Sequence, residues 1–194
     1  VSKIDRIIRQ IRSQTTQFRA VESESEKYIE CYFAVFAGSY EIFPGAVEMV
    51  DPIAFDEALD DDIRCLIDHE TRLVLGRTTA GTLELKVDEI GLWGRVKINQ
   101  NDQDAMNLYA RVERGDVSQC SFGFDILDEL TDSKPDGTIQ WTIKKVKLYE
   151  VSIVTFPAYE DTAAVARKSE YEQIKKRSLQ AWQERMKARL RNGS

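Results

Sequence analysis

Apolar and polar positions along this chain follow two periods, and the switches between them divide it. In KIDRIIRQIR (3–12), Ile4, Ile7, Ile8 and Ile11 fall at helical spacing among bases, which predicts a short amphipathic helix with a basic face. Residues 13–26 are polar, rich in Ser, Thr and Glu, and read as a linker. From Tyr28 the pattern is that of strands. YIECYFAVFAG (28–38) is aromatic and β-branched, as a buried strand requires. Pro44-Gly45 marks a turn, and Asp51-Pro52 before IAFDEAL reads as a capped short helix with Pro at its first position. IRCLI (63–67) is a short apolar strand ending in Asp68-His69-Glu70. Strands at 73–78, 82–87 and 92–98, separated by turns at 80–81 and 88–91, predict an antiparallel meander.

Helical spacing returns in DQDAMNLYARVERG (102–115), where Ala105, Leu108, Tyr109 and Val112 share a face and Gly115 sits at the stop. Residues 117–127, 139–146 and 148–156 read as three more strands, with a polar turn at 133–137. From 164 to 190 there is no Gly or Pro. Tyr171, Ile174, Ser178, Trp182, Met186 and Leu190 recur at spacings of three and four, predicting one long basic helix. Its narrow apolar stripe needs a partner, either the body or another chain. The expected class is β-rich α+β, a closed or strongly curved antiparallel barrel with inserted helices and a helix at each end. Three parts follow: a basic helix and linker (1–26), a main domain (27–166), and a basic amphipathic helix or tail (167–194). A doubly wound dinucleotide fold is excluded, because strands outnumber helices and neither GxGxxG nor GxxxxGK[ST] is present.

Charge sharpens this division. The net charge of −6 splits into +4 for residues 1–20 (five bases, one acid), −16 for the middle (13 bases, 29 acids) and +6 for 167–194 (nine bases, three acids). An acidic body is the wrong sign for a duplex-binding surface, so no direct nucleic-acid contact is expected. The basic ends read either as solvated segments or as docking sites for an acidic partner. No apolar run approaches the roughly 20 residues that span a bilayer, and no basic segment leads an apolar one, so neither membrane insertion nor secretion is expected. Three widely spaced cysteines, Cys31, Cys65 and Cys120, read as free thiols of a reducing compartment. His69 is the single histidine and there is no CxxC pair, so no metal and no cofactor are expected.

The chemistry is therefore sought among serines, carboxylates and one imidazole. A serine hydroxyl is a weak nucleophile and needs a base within hydrogen-bond reach. Any such pair in this chain must use His69, and a carboxylate would fix the tautomer of that base. Ser121 lies inside QCSFGF, and Glu150 lies in KLYEVSIVTFP among strongly apolar neighbours, where a carboxylate costs several kcal/mol unless paired. Each of the three falls in or beside a predicted strand. On spacing alone each also has a plain structural reading: a lone satisfied histidine, a core hydroxyl, a surface glutamate on an edge strand.

Four segments in order change that balance. EIFPGAV, LIDHETRLVLGRTTAGTLELKVDEIGLWGRVKIN, GDVSQCSFGF and LYEVSIVTFPAYEDT together resemble the prohead (head maturation) proteases of tailed bacteriophages, over about residues 28–167. Two elements, HxxxxxxG and CSxG, are also similar to those of herpesvirus assemblins, which share a β-barrel surrounded by helices. The resemblance implies a serine endopeptidase with a herpesvirus-protease-like fold, its protease domain spanning 27–166. It implies Ser121 as nucleophile, His69 as general base and Glu150 as the acid that supports the histidine. The herpesvirus enzymes use a second histidine in third place, and this chain has none, so a carboxylate must serve. Asp68 ranks below Glu150, because alternation along an extended strand sends it to the face opposite His69. By the same alternation Cys120 points away from Ser121 and ranks below it as nucleophile. Ser118 and Ser152 match no motif position and read as structural. Oxyanion donors are expected around 157–159.

The implied substrates are the scaffolding domain of the major capsid protein precursor, the scaffold protein and the protease itself. The implied place of action is the immature procapsid in the cytoplasm of the bacterial host. The basic tail then reads as an interaction or self-cleavable segment, and self-association as a homodimer or higher oligomer is a further expectation. The alternative is a non-catalytic capsid or scaffold interaction module that keeps the fold. A metal-dependent hydrolase is the poorest reading, given one histidine and no HExxH.

Overall fold

The β-branched and aromatic segments build two sheets in a computed structural model that describes residues 10–15, 18–23, 25–36, 38–156 and 161–192. The first sheet holds β1 (Gln10–Thr15), β10 (Gln119–Ser133), β11 (Ile139–Val154), β5 (Ala46–Val50) and β4 (Tyr40–Phe43) in that order. Two further strands, β6 (Arg64–Ile67) and β7 (Glu70–Arg77), join it through β11. The second sheet runs β2 (Arg19–Ser23), β3 (Glu26–Val35), β9 (Gly91–Ile98) and β8 (Leu83–Val87). Of the meander expected over 73–98, the β8–β9 pair forms, whereas β7 pairs antiparallel with β6 in the first sheet and not with β8.

β11 organises the first sheet. Its whole length pairs antiparallel with β10, and its other edge takes two parallel strands in succession, β5 at 139–143 and β6 at 150–153. The sheet is therefore mixed, which corrects the antiparallel part of the expected closed or strongly curved barrel, while the β-rich class with few helices holds. Residues 51–63 carry the chain along that edge from β5 to β6 through two short 3-10 turns, Pro52–Phe55 and Ala58–Asp60. Asp51 caps the first by accepting from the Ile53 N–H at 3.1 Å. A core of buried apolar residues joins the sheets, with Phe33, Leu92, Phe122, Phe124 and Val151 among its members. Each such side chain contributes about 1.5–3 kcal/mol by leaving water. The Cys120 thiol donates to the Tyr32 carbonyl at 2.9 Å, tying β10 to β3.

The helix α1 (Gln103–Arg114) forms where its periodicity predicts, burying Ala105, Leu108, Tyr109 and Val112. The Asp102 carboxylate accepts from the Asp104 and Ala105 N–H groups, and Gly115 ends the helix at φ +87°. The N-terminal expectation fails. Of the helix predicted over 3–12, residues 3–9 lie outside the described residues, and 10–12 open strand β1. The predicted linker over 13–26 contributes the rest of β1 and all of β2, so body structure begins well before residue 27. The reason is tertiary: β1 pairs its backbone with β10, and the charge of Arg12 is buried against Glu48. A period count treats that arginine as solvated.

α2 (Asp161–Asn192) is the expected long helix, but its first turns belong to the body. Tyr171 and Ile174 pack on Ala46, Ile139 and Trp141. Arg167 is 7% exposed. Farther along, Trp182 and Met186 of the same stripe are exposed.

Candidate active site

The β10–β11 pair has two chemically different faces. Register places Phe122 opposite Val151 and Cys120 opposite Ile153, all buried in the apolar core. The alternate positions place Ser121 opposite Ser152 and Gly123 opposite Glu150. One face is therefore hydrophobic and the other polar, although both are buried here. A register shift follows Gly123, and such bulges re-aim side chains next to functional sites.

His69 reaches this polar face from the β6–β7 hairpin. Ile67 pairs with Glu70, so Asp68 and His69 form a two-residue connection, and both adopt positive φ, 48° and 61°. Hairpins of this length favour that handedness. For residues bearing a Cβ it costs about 1–2 kcal/mol each, and Asp68 offsets it with hydrogen bonds. Its N–H donates to the Ile153 carbonyl (3.0 Å), and its carboxylate accepts from the Thr155 N–H (2.6 Å) and hydroxyl (3.2 Å). The turn is thereby stapled to the end of β11. His69 Nδ1 then lies 2.8 Å from Glu150 Oε1. The other carboxylate oxygen, Oε2, accepts from the Ser152 hydroxyl at 2.5 Å. An ionised carboxylate at Nδ1 selects the tautomer with its hydrogen there, leaving the lone pair on Nε2. That Nε2 is buried and has no hydrogen-bond partner among the described residues.

Ser121 sits on the same face and is fully buried. Its hydroxyl donates to the Arg12 carbonyl of β1 at 2.9 Å. A hydroxyl has one proton, so it is not donated to the imidazole in this state. Next to it lies a buried charge cluster. Arg12 Nε meets Glu48 Oε1 at 2.5 Å, and Arg167 meets Glu48 Oε2 at 2.9 Å and Glu129 Oε2 at 2.7 Å. Burial alone would raise the Glu48 carboxyl, but the two guanidinium groups outweigh it and hold it below its ordinary value.

The structure thus brings His69 and Glu150 into contact and sets Ser121 on the neighbouring strand, facing the same side. Asp68 does not contact the imidazole in its stead. It stands in a turn, not on an extended strand as expected, and its carboxylate holds that turn. Cys120 lies on the opposite face from Ser121, as alternation predicts. All three cysteines are free and buried, and burial pushes the Cys31 and Cys65 thiols up, away from thiolate chemistry. The donors expected at 157–159 lie outside the described residues. Ser152, read from the sequence as structural, donates to Glu150, and its i, i+2 spacing from that residue on a strand is the signal that places both on one face. The four-member charge cluster had no sequence signal, since its residues come from four distant segments.

A family model described as caudovirus prohead serine protease matches residues 14–177. The prohead protease of Enterobacteria phage HK97 is 26% identical over 167 residues, which is 84% of this chain and 70% of that protein. The prohead protease of Escherichia phage T5 is 31% identical over 104 residues, or 54% of this chain and 45% of that one. Among solved structures, the bacteriophage T4 capsid assembly protease has a TM-score of 0.48 and 11% identity, over 75% of this chain and 96% of that chain.

Proposed function

This chain belongs to the caudovirus prohead serine protease family, and we propose that it is the serine endopeptidase that trims capsid precursor, scaffold and itself during phage head maturation. Ser121 acts as nucleophile, His69 as general base and Glu150 as the acid that orients the base. The observation that carries the reading is the His69 Nδ1–Glu150 bond of 2.8 Å, formed beside a buried serine on the adjacent strand. A buried glutamate that spends one oxygen on an imidazole and the other on a hydroxyl is an expensive arrangement with an evident chemical use.

In the working state Ser121 Oγ gives its proton to His69 Nε2 and attacks the scissile carbonyl. Glu150 stabilises the imidazolium that forms. The tetrahedral intermediate expels the amine, which takes the proton from Nε2, and an acyl-enzyme remains. Water then attacks with His69 again as base, the carboxylic acid leaves, and the hydroxyl of Ser121 is restored. The chain does this inside the immature procapsid, in the cytoplasm of the bacterial host. The outer part of α2, basic and exposed, tethers it to the assembling head or to a second copy.

The alternative is a non-catalytic capsid-binding module, and the Ser121 proton resting on a backbone carbonyl is what favours it. Co-expression with the capsid and scaffold precursors separates the two. The wild type should yield defined cleavage products by mass spectrometry, and Ser121→Ala should yield none while keeping its melting transition. Products that persist in Ser121→Ala would end the nucleophile assignment. Association without products in the wild type would favour the module.

A further inference from the structure

We propose that Asp68 is a positioning residue for the general base: its carboxylate locks the turn that folds His69 back onto Glu150. The inference rests on His69 acting as the base. Register shows why a lock is needed. β6 runs parallel to β11, with Arg64 beside Glu150 and Ile67 beside Ile153. Two more extended residues would carry position 69 level with Thr155, five residues past Glu150, or ~16 Å along the strand. An imidazole and a glutamate side chain together span too little to close that gap. The observed separation of Nδ1 from Oε1 is 2.8 Å, so the chain must reverse at Asp68-His69 and send the ring back along the sheet. It does so in left-handed conformation, at φ 48° and 61°, at two residues that both carry a Cβ. Neither is glycine or asparagine, the residues that hold such turns most readily.

The lock comes from the strand that carries the acid. The Asp68 N–H donates to the Ile153 carbonyl at 3.0 Å. One carboxylate oxygen accepts from the Thr155 N–H at 2.6 Å, and the other from the Thr155 hydroxyl at 3.2 Å. These partners follow Glu150 directly along β11 and just past its end. Base and acid are thus referenced to one stretch of chain: His69 touches it at 150, and Asp68 holds it at 153 and 155. Joining β6 to β7 does not require this, because the pairing of Ile67 with Glu70 already closes the hairpin. Both oxygens of Asp68 are engaged at Thr155, so it acts on the imidazole through the turn. Without the lock the turn relaxes, the ring leaves Glu150, and the tautomer that keeps the lone pair on Nε2 is no longer imposed.

His69 is the single histidine, so imidazole nitrogen NMR of the full chain reports on it alone. The parent for this measurement carries Ser121→Ala to prevent self-cleavage, and the spectra are taken at alkaline pH, where a neutral ring shows which nitrogen holds the hydrogen. Asp68→Gly deletes the carboxylate and accepts the left-handed backbone without strain. Asp68→Asn keeps an acceptor and tolerates the same φ. The hydrogen should sit on Nδ1 in the parent and in Asp68→Asn, and shift toward Nε2 in Asp68→Gly. With Ser121 restored, on a peptide spanning a mapped cleavage site, Asp68→Gly should lower kcat about 30-fold with KM little changed. Asp68→Asn should recover most of that loss. A wild-type kcat in folded Asp68→Gly overturns the proposal, and so does a fall in kcat with the hydrogen still on Nδ1. If Asp68→Gly does not fold, Thr155→Val takes its place. It removes the hydroxyl bond and should lower kcat about threefold, and an unchanged rate overturns the proposal. A parent imidazole with its hydrogen on Nε2, or a His69→Ala chain that cleaves like wild type, sinks instead the reading of His69 as a base held by Glu150.

Discussion

The two sides of the candidate site are built by opposite means. On one side, a two-residue turn in left-handed conformation is stapled by Asp68 to the end of β11, and it sets His69 on Glu150 with Ser152 behind. The partners named here lie in β11 or immediately beyond it, close to one another along the chain. On the other side, Ser121 gives its hydroxyl hydrogen bond to the Arg12 carbonyl of β1, a strand more than a hundred residues away in sequence that pairs with β10 over residues 10–15 and sets Arg12 against Glu48. Local, redundant hydrogen bonds make the acid–base half rigid. The surroundings of Ser121 depend instead on β1, an edge strand among the described residues, so the two sides differ in how far along the chain their partners lie.

The largest effects should come from breaking the rigid half. His69→Ala should lower cleavage by 10³-fold or more, since residues that act as a unit lose most of the rate when any one is removed. Glu150→Gln keeps the shape, but its amide can donate to Nδ1 and so favour the tautomer with hydrogen on Nε2. A loss of about 10³–10⁴ in kcat is expected, with KM little changed. Steady-state kinetics on a peptide spanning a mapped cleavage site would measure both. A Glu150→Gln enzyme within fivefold of wild type would show that the two halves do not cooperate as described.

How much of this could be read beforehand follows the same division. The alternation in QCSFGF and EVSIVTF carries the two-faced β10–β11 pair, and the periodicity of 102–115 carries α1 with its caps, because these signals are local. The conformation of Asp68-His69 was not legible, since no glycine announces the left-handed turn. An extended strand was the natural reading, and it misplaced Asp68. β1 and β2 were hidden for another reason. Isoleucines at helical spacing run into a segment that becomes a strand only when β10 and Glu48 are there to receive it. Propensity loses to tertiary pairing wherever an edge strand is polar. Arg167 was assigned to the tail because a basic helix reads as solvated, and its burial depends on Glu48 and Glu129, far away in the chain.

Arg167→Ala sharpens the comparison from the Ser121 side, with an intermediate effect that falls on stability. It removes two guanidinium bonds from Glu129 and one from Glu48, whose side chains are 5% and 2% exposed, and the cation 4.9 Å from the Trp141 ring centre. Breaking buried pairs of this kind costs about 3–5 kcal/mol, measurable by urea unfolding at neutral pH. The pH dependence has a definite sign. The Glu48 carboxyl is held below its ordinary value in the folded chain, so its contribution is fully present above about pH 4.3 and is lost as pH falls through the folded value. The stability gap between wild type and Arg167→Ala should therefore be constant near neutrality and narrow in acid. A gap that widened in acid would point to a cause other than the paired glutamate.

The smallest effect belongs to Ser152, and it asks how finely the rigid half is tuned. Its hydroxyl donates to Glu150 Oε2 at 2.5 Å, within the buried face and opposite Ser121. A hydrogen bond to an ionised group is worth about 1.5–3 kcal/mol when it is made in both ground and transition state. Only the part that improves the aim of Glu150 toward Nδ1 reaches the rate. Ser152→Ala should lower kcat about tenfold, or ~1.4 kcal/mol, leave KM unchanged and keep the chain folded. Ser152→Thr retains the hydroxyl on the same β-carbon and should recover most of the loss where its extra methyl is accommodated. A purely structural serine would behave otherwise: alanine would lower the melting temperature and leave kcat per folded molecule untouched. The split between kcat and stability in these two variants decides whether the glutamate is held for packing or held for its bond to the imidazole.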